Sequence, residues 1–204
     1  MIAAPLVGIP SAKRVMDLAI SLAAMPLLLP ILGLCAVAVR LDSPGPILFR
    51  QQRTGLHGVR FGMHKFRTMV ANAEELKSSL AHLNIMAPPD FKIIDDPRIT
   101  RVGKFLRKTS LDELPQIFNV LRGEMSLVGP RPTSFAASTY RLWHAERLEI
   151  TPGITGLWQV RGRNESTFDE RLRLDVEYIS KRSILFDLRI ILETVGSVVN
   201  RSGE

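Results

Sequence analysis

The chain has little cysteine and few aromatic side chains. Its 204 residues include one Cys, two Trp and two Tyr, and aromatic residues make up 6% of the total. A single Cys excludes an internal disulfide framework and a metal cluster held by cysteines alone. The few aromatic rings leave little stacking surface for single-stranded nucleic acid.

Several common catalytic signatures are also missing. There is no Walker A loop, no GxGxxG and no evident Ser/His/Asp arrangement, and the four His residues lack metal-ligand spacing. The sequence does have a net charge of +7, from 27 Lys and Arg against 20 Asp and Glu. This excess indicates a polyanionic partner, which could be nucleic acid, an anionic membrane face or a phosphorylated substrate.

A long apolar run lies near the N-terminus. The 22 positions from Leu18 to Val39 carry no charge, and as a helix they would extend about 33 Å, enough to cross a bilayer core of about 30 Å. Pro26 and Pro30 lie inside the run and basic residues flank both of its ends. We therefore predict a helix-break-helix that enters the membrane, bends near Pro30 and returns to the same face. A buried helix of a soluble domain and a cleaved signal peptide are the alternatives.

We assign residues 1–41 to this N-terminal segment and residues 42–204 to a second, basic domain. The second domain is expected to be α/β, mostly helical with a small sheet. Its pattern predicts strands over Ile47–Arg53 and Arg60–Met69 and a helix over Val70–His82. Apolar spacing over Ile184–Val199 predicts an amphipathic helix that could pack on the domain, lie on the membrane surface or support a homodimer.

Two adjacent acids, Asp112 and Glu113, follow a cluster of basic residues. Ser110 and Glu113 fit a helix capping box, so a purely structural role is one interpretation. The other is that the two acids project into a basic site, where one attacks a phosphorus atom and the other holds Mg²⁺.

Basic residues in rigid surroundings could complete such a site. Lys65 and Arg67 alternate along a predicted strand, Arg131 lies between two prolines, and Arg163 follows a glycine. Each one alone could be a solvated surface residue, but together they predict a pyrophosphate site. Asp175 could simply pair with a basic residue one helical turn earlier.

An ordered set of motifs extends from about Lys13 to Val199 and resembles the monotopic phosphoglycosyl transferases, bacterial enzymes that start glycan assembly on polyprenyl phosphate. The motifs are Lys13-Arg14-x-x-Asp17, Leu41-Asp42-Ser43-Pro44-Gly45-Pro46, Lys65-Phe66-Arg67-Thr68-Met69, Asp96-Pro97-Arg98-Ile99-Thr100, Arg107 to Gln116, Met125 to Pro132, Pro152-Gly153-Ile154-Thr155-Gly156, Gly162-Arg163 and Leu174-Asp175.

The resemblance implies an architecture and a location. It implies a re-entrant membrane helix broken at Pro30 and a catalytic domain with amphipathic interfacial helices. This domain would face the cytoplasm at the bacterial inner membrane, in contact with phospholipids.

The resemblance also implies a reaction. Sugar-1-phosphate would pass from a UDP-sugar to polyprenyl phosphate in two ping-pong steps through a phospho-sugar on an aspartate, with Mg²⁺ as cofactor and no nucleic acid partner. Asp112 matches the nucleophile and Glu113 matches the Mg²⁺ ligand. The matching phosphate-handling positions are Arg107, Arg131 and Arg163, and we add Lys65, Arg67 and Asp175 as candidate substrate-binding residues.

Two other functions are compatible with the composition. One is a basic nucleic-acid-binding domain with a membrane anchor, which would show steeply salt-dependent binding. The other is a non-catalytic membrane scaffold in polysaccharide assembly. Neither function would need Asp112.

Overall fold

The computed structural model describes residues 9–85, 91, 93–134, 142–162 and 167–201. Helices dominate these residues and the strands are short, which confirms the predicted mostly helical fold with a small sheet. The elements are α1 (Ser11–Asp42), β1 (Leu48–Thr54), β2 (Arg60–Phe66), α2 (Arg101–Lys108), α3 (Ile117–Arg122), β3 (Ser126–Val128), β4 (Gly153–Thr155), α4 (Leu157–Arg161), α5 (Phe168–Lys181) and α6 (Ile184–Arg201).

Helix α1 contains the apolar run. It is 32 residues long and continues through Pro26 and Pro30. Large apolar side chains in its middle are exposed, with Leu22 59% and Leu27 71% accessible. Its length and composition would allow it to cross a membrane, which confirms a long apolar helix near the N-terminus. The break predicted near Pro30 does not interrupt the helix, and re-entry stays a prediction.

The N-terminal end of α1 is attached to the rest of the protein by polar contacts. Lys13 pairs with Asp187 of α6 at 2.5 Å. Arg14 donates to the carbonyls of Val120 and Leu121 at 2.5 and 2.9 Å, where it satisfies acceptors at the C-terminal end of α3. These contacts account for the first two residues of the Lys13-Arg14-x-x-Asp17 motif.

The third residue of this motif, Asp17, is fully buried. Its carboxylate accepts a hydrogen bond from the hydroxyl of Ser126 at 2.7 Å and one from the backbone N–H of Leu127 at 3.3 Å. A buried carboxylate is stabilised only when it is paired in this way. Asp17 therefore ties α1 to β3.

The C-terminal half of α1 is attached by apolar packing. Leu32, Cys35 and Val39 are buried and form one cluster with Phe66 at the end of β2 and Leu106 of α2. Their spacing of three and four residues places them on one face of the helix. Both ends of α1 therefore contact the same domain.

The strands form two small sheets. β1 and β2 form an antiparallel hairpin in which Phe49 lies opposite Lys65. β3 and β4 are parallel, with Val128 opposite Thr155, and Val128 belongs to a buried cluster with Leu157, Tyr178 and Ile190. The two strands predicted over Ile47–Arg53 and Arg60–Met69 are confirmed, with small shifts at their ends.

The helix predicted over Val70–His82 is wrong. The segment consists of turns and short 3₁₀ stretches at Glu75–Lys77 and Ala81–Leu83. None of its residues is buried, and a helix of this length is marginal in water when no apolar face packs against a core.

The predicted C-terminal amphipathic helix is confirmed as α6. Ile190 is completely buried in the core, whereas Leu185 and Leu192 are 79% and 73% exposed. The helix therefore has one packed face and a second apolar surface open to its surroundings.

Helix α2 approaches the end of β2 closely. The backbone N–H of Thr100 donates to the carbonyl of Thr68 at 3.1 Å, and a Cβ at Gly103 would lie 2.1 Å from that same carbonyl oxygen. This position therefore requires glycine, because any side chain would push α2 away from Thr68.

Candidate active site

A large open cavity of about 1020 Å³ lies between the β1–β2 hairpin, α2 and α4. Eight basic and four acidic side chains line it, so the cavity carries an excess of positive charge that suits an anionic ligand. The basic residues are Arg53, Lys65, Arg67, Lys77, Arg98, Arg107, Arg131 and Arg171, and the acidic residues are Glu74, Asp96, Asp112 and Glu113.

The acid pair lies on a 3₁₀ turn, Leu111–Gln116, between α2 and α3. Ser110 adopts a left-handed conformation (φ 57°), so the chain changes direction as it leaves α2. The hydroxyl of Ser110 makes no capping hydrogen bond, so the capping-box interpretation is wrong. Successive residues of a 3₁₀ helix point about 120° apart, and Asp112 and Glu113 can therefore contact different groups.

Glu113 is held by two basic residues that are distant in the sequence. Lys65 Nζ contacts Oε1 at 2.7 Å. Arg131 forms a two-pronged contact, with Nη2 on Oε1 and with Nη1 on Oε2 at 3.0 Å. Burial by itself would raise the pKa of Glu113, but the charges and hydrogen bonds of Arg131 and Lys65 outweigh it and hold that pKa far below its usual value. Glu113 is therefore ionised.

Asp112 is in a different electrostatic state. Its carboxylate lines the cavity and makes no hydrogen bond or ion pair with any residue in the described part of the chain. Burial raises its pKa, the negative charge of Glu113 raises it further, and the nearby Lys65 and Arg107 oppose that rise. Asp112 is thus an accessible carboxylate without a partner in that part of the chain, next to Glu113, whose negative charge is balanced by Lys65 and Arg131. Such a carboxylate is suited to nucleophilic attack or to metal ligation.

Arg107 points from the last turn of α2 towards the cavity. Its Nε donates to the hydroxyl of Thr68 at 2.8 Å. Within the described ranges, its two terminal nitrogens make no hydrogen bond and are therefore available to an anionic ligand.

Arg67 also lines the cavity, but most of its hydrogen-bonding capacity is used by a neighbouring turn. Its guanidinium donates to the hydroxyl and carbonyl of Ser43 at 2.8 Å each, to the carbonyl of Pro44 at 2.9 Å and to that of Pro46 at 2.6 Å. These contacts connect the end of β2 to the chain that leaves α1. Its role in binding substrate stays a prediction.

The structure does not bring Asp175 into the cavity. Asp175 is buried in α5, and its Oδ2 lies 2.7 Å from Nη2 of Arg147. Burial raises its pKa to about 7, against the opposing charge of Arg147. Arg163 lies outside the described residues.

Six of the predicted site residues therefore line one cavity, although they are far apart in sequence: Lys65, Arg67, Arg107, Asp112, Glu113 and Arg131. Arg98 and Trp158, which were not among the predicted site residues, also line the cavity. Arg98 binds Asp96 through two nitrogens, with Nη2 at 2.6 Å from Oδ2. The Asp96-Pro97-Arg98 motif already pointed to this pair.

Among the described residues, no group of three or more His, Cys, Asp or Glu side chains could enclose a metal ion. Glu113 Oε2 accepts one hydrogen bond in that part of the chain, so it has a lone pair available. Asp112 lies beside it. Mg²⁺ commonly binds one or two carboxylates together with substrate phosphates, and the residues present fit an ion held in that way.

A comparison with known families identifies the chain. The family described as "Bacterial sugar transferase" matches residues 9–201. The chain belongs to the bacterial sugar transferase family. This confirms the family resemblance drawn from the motifs.

The chain is similar to curated members of this family. It is 51% identical over 161 residues to the galactosyl transferase CpsE of Streptococcus agalactiae, covering 78% of this chain and 36% of the relative. It is 43% identical over 196 residues to the undecaprenyl-phosphate galactose phosphotransferase of Salmonella typhimurium, covering 94% and 41%.

A third relative is closer in length. The chain is 41% identical over 204 residues to the UDP-glucose:undecaprenyl-phosphate glucose-1-phosphate transferase of Caulobacter vibrioides, covering 96% of this chain and 72% of the relative. The chain spans less than half the length of the first two relatives.

Proposed function

We propose that this chain transfers sugar-1-phosphate from a UDP-sugar to polyprenyl phosphate, releasing UMP and giving a polyprenyl diphosphate sugar. The main support is the carboxylate of Asp112, which has no partner among the described residues and lies beside Glu113, whose charge is balanced by Lys65 and Arg131, in a cavity with excess positive charge. The names of the Salmonella and Caulobacter relatives describe transfer to undecaprenyl phosphate.

In the first step, a carboxylate oxygen of Asp112 attacks the phosphorus atom next to the sugar. The bond from that phosphorus to the bridging oxygen of the diphosphate breaks, and UMP leaves with the bonding electrons. A phospho-sugar remains bonded to Asp112. Arg107, whose terminal nitrogens have no hydrogen-bond partner among the described residues, would neutralise charge on the diphosphate as that bond breaks.

In the second step, an oxygen of polyprenyl phosphate attacks the same phosphorus. The bond from phosphorus to the carboxylate oxygen of Asp112 breaks and the carboxylate is regenerated. The product is the polyprenyl diphosphate sugar. The positive charge of the cavity favours binding of both anionic substrates in turn, so positioning and charge neutralisation would supply most of the catalysis.

Glu113 would hold Mg²⁺ through the lone pair left on Oε2, with substrate phosphates as further ligands. When bound, the ion would neutralise charge on the diphosphate. Lys65 and Arg131 keep the Glu113 carboxylate ionised and fixed in orientation.

We further propose that α1 is re-entrant at the bacterial inner membrane, with the catalytic domain on the cytoplasmic side. Both ends of α1 contact the same domain, whereas the exposed Leu22, Leu27 and Leu29 in its middle would face lipid. A spanning helix would place about 30 Å of hydrocarbon between those ends. A bend at Pro30 would satisfy both contacts, and exposed Phe105 and Leu185 would meet the interface.

The two-step reaction is tested in a single turnover. Detergent-solubilised protein is mixed with Mg²⁺ and UDP-sugars labelled in the sugar, without acceptor. We expect up to one UMP per active protein and label that remains on the protein after denaturation. Added polyprenyl phosphate should then remove the label.

Asp112→Asn should abolish both UMP release and protein labelling. Asp95→Asn is the matched control, because Asp95 is an acid with a 78% exposed side chain that pairs with Lys104, and it should behave like wild type. UMP release that requires the acceptor, with no labelled protein, would rule out the aspartyl intermediate. Wild-type turnover by Asp112→Asn would show that Asp112 is not the nucleophile, whereas no turnover by folded wild-type protein would favour the scaffold or nucleic-acid hypothesis.

Re-entry has a separate test. Single cysteines at Ser11 and at Arg40, in a Cys35→Ser background, are exposed to an impermeant thiol reagent in oriented vesicles. Both should react from the cytoplasmic side. Reaction from opposite sides would show that α1 spans the membrane.

A further inference from the structure

Arg131 is fixed through its backbone as well as through its flanking prolines. The Nη2 atom of Arg147 donates a hydrogen bond to the carbonyl oxygen of Arg131. Arg147 belongs to the 3₁₀ segment Leu142–Leu148 and is only 6% exposed. A buried guanidinium therefore contacts the backbone of the residue whose side chain holds Glu113.

Arg147 is itself held by Asp175 of α5. The same Nη2 atom lies 2.7 Å from Oδ2 of Asp175, and their side chains are 6% and 2% exposed. Neither Asp175 oxygen has a hydrogen-bond partner in the described part of the chain, so this contact is an ion pair without hydrogen-bond geometry. Asp175 therefore forms an ion pair with Arg147, and Arg147 contacts Arg131.

These contacts form a continuous path to the acid pair. Asp175 contacts Arg147, Arg147 contacts the backbone of Arg131, and the Arg131 guanidinium binds both oxygens of Glu113. Neither Asp175 nor Arg147 lines the cavity, so neither of them can touch a substrate there.

Resting on the function proposed above, we propose that Arg147 and Asp175 are positioning residues that hold Arg131, and through it Glu113, in the orientation needed for phosphoryl transfer. A fixed guanidinium presents its two nitrogens to Glu113 without first losing rotational freedom. Displacing it would leave Glu113 with Lys65 as its remaining basic partner in the described part of the chain.

The test must separate positioning from stability. Removing one member of a buried ion pair leaves an unpaired charge, whereas replacing both by apolar residues of similar shape is often tolerated. We therefore use the double variant Arg147→Met/Asp175→Leu. Arg189→Met is the control, because Arg189 pairs with Glu193 on the exposed face of α6.

At pH 8 we expect the double variant to keep a melting temperature near that of wild type but to lose about 10- to 100-fold in kcat for UMP release. The KM for UDP-sugar should change less. In an Arg131→Met background, the same double substitution should lower kcat by less than a further factor of about two, because the effects of residues that act through one another are not additive. The proposal would be overturned if the double variant had a kcat close to that of wild type. It would also be overturned if the double substitution lowered kcat as much in the Arg131→Met background as in wild type.

A second readout needs no substrate. In protein labelled with ¹⁵N-arginine, the Nε–H signal of Arg131, assigned by its loss in Arg131→Met, should shift in the double variant. The signal of Arg98, which binds Asp96 elsewhere in the cavity, should not shift. An unchanged Arg131 signal would refute the positioning role, whether or not the protein turns over UDP-sugar. Absence of turnover by wild type would refute the proposed function but not the positioning role.

If the apolar double variant does not fold, the double variant Arg147→Gln/Asp175→Asn is used to test the positioning role instead. This uncharged pair keeps polar side chains at both positions, and we expect the shorter Gln side chain to lose the contact with the carbonyl of Arg131. The same kcat, additivity and NMR outcomes apply. Arg189→Met should match wild type in each measurement.

Discussion

Gly103→Ala should misplace Arg107 by a distance that follows from the structure. An added Cβ would lie 2.1 Å from the carbonyl oxygen of Thr68, whereas real Cβ atoms essentially never come within 3.0 Å of such an atom. Helix α2 must therefore move by roughly 1 Å, since neither backbone can yield independently. Arg107 lies one turn further along α2 and its Nε binds the Thr68 hydroxyl at 2.8 Å, so the same shift displaces it from Asp112.

Two opposing contributions determine the stability of this variant. Replacing glycine by alanine within a helix stabilises it by about 1 kcal/mol, whereas overpacking costs about 1–3 kcal/mol. We expect a net loss of up to about 2 kcal/mol, which lowers the melting temperature by a few degrees. Activity should fall much further, because a misplacement of about 1 Å can cost about 100-fold.

Gly196→Ala is the matched control, because nothing lies within 4 Å of an added Cβ at that helical position. It should keep wild-type kcat and be slightly stabilised. The assay is UMP release under saturating UDP-sugar, together with thermal unfolding in the same detergent. Wild-type kcat in Gly103→Ala would show that the approach of α2 to Thr68 does not position Arg107.

Three further predictions concern the acceptor, pH and the attachment of α1. Phe49 is half exposed and lines the cavity. Phe49→Ala should therefore raise the KM for polyprenyl phosphate about tenfold through lost apolar contact, while Leu48→Ala on the opposite strand face should not. Equal effects of the two variants on this KM would refute contact between Phe49 and the acceptor. Because burial raises the pKa of Asp112 and only the ionised form attacks, kcat/KM for UDP-sugar should rise with pH through a value above the ordinary aspartate range; full activity at pH 4 would contradict this. Asp17→Asn should reduce the free energy of unfolding by about 1–3 kcal/mol, because it disrupts the buried bonds from Ser126 and Leu127; a melting temperature equal to that of the Asp95→Asn control would contradict it.

Features that depend on local spacing could be predicted from the sequence. The uncharged run of α1, the two acids of the Leu111–Gln116 turn and the amphipathic pattern of α6 are all defined by neighbouring residues, and the structure contains each of them. The motif order also identified the family. A local pattern without a buried face was less informative, as the failed helix over Val70–His82 shows.

Tertiary packing decided which basic residue serves which partner. Lys65 and Arg131 are 48 and 18 positions from Glu113, yet both bind it. Arg67 lies two positions after Lys65 in the sequence, yet it binds the Ser43–Pro46 turn instead of Glu113. Asp175 pairs with Arg147. Ion pairs over such separations depend on how β2, the 3₁₀ turn and α5 pack together. The sequence by itself therefore determined which charged groups this chain carries and which family it belongs to, and the tertiary structure determined which of those groups face the cavity and which hold them in place.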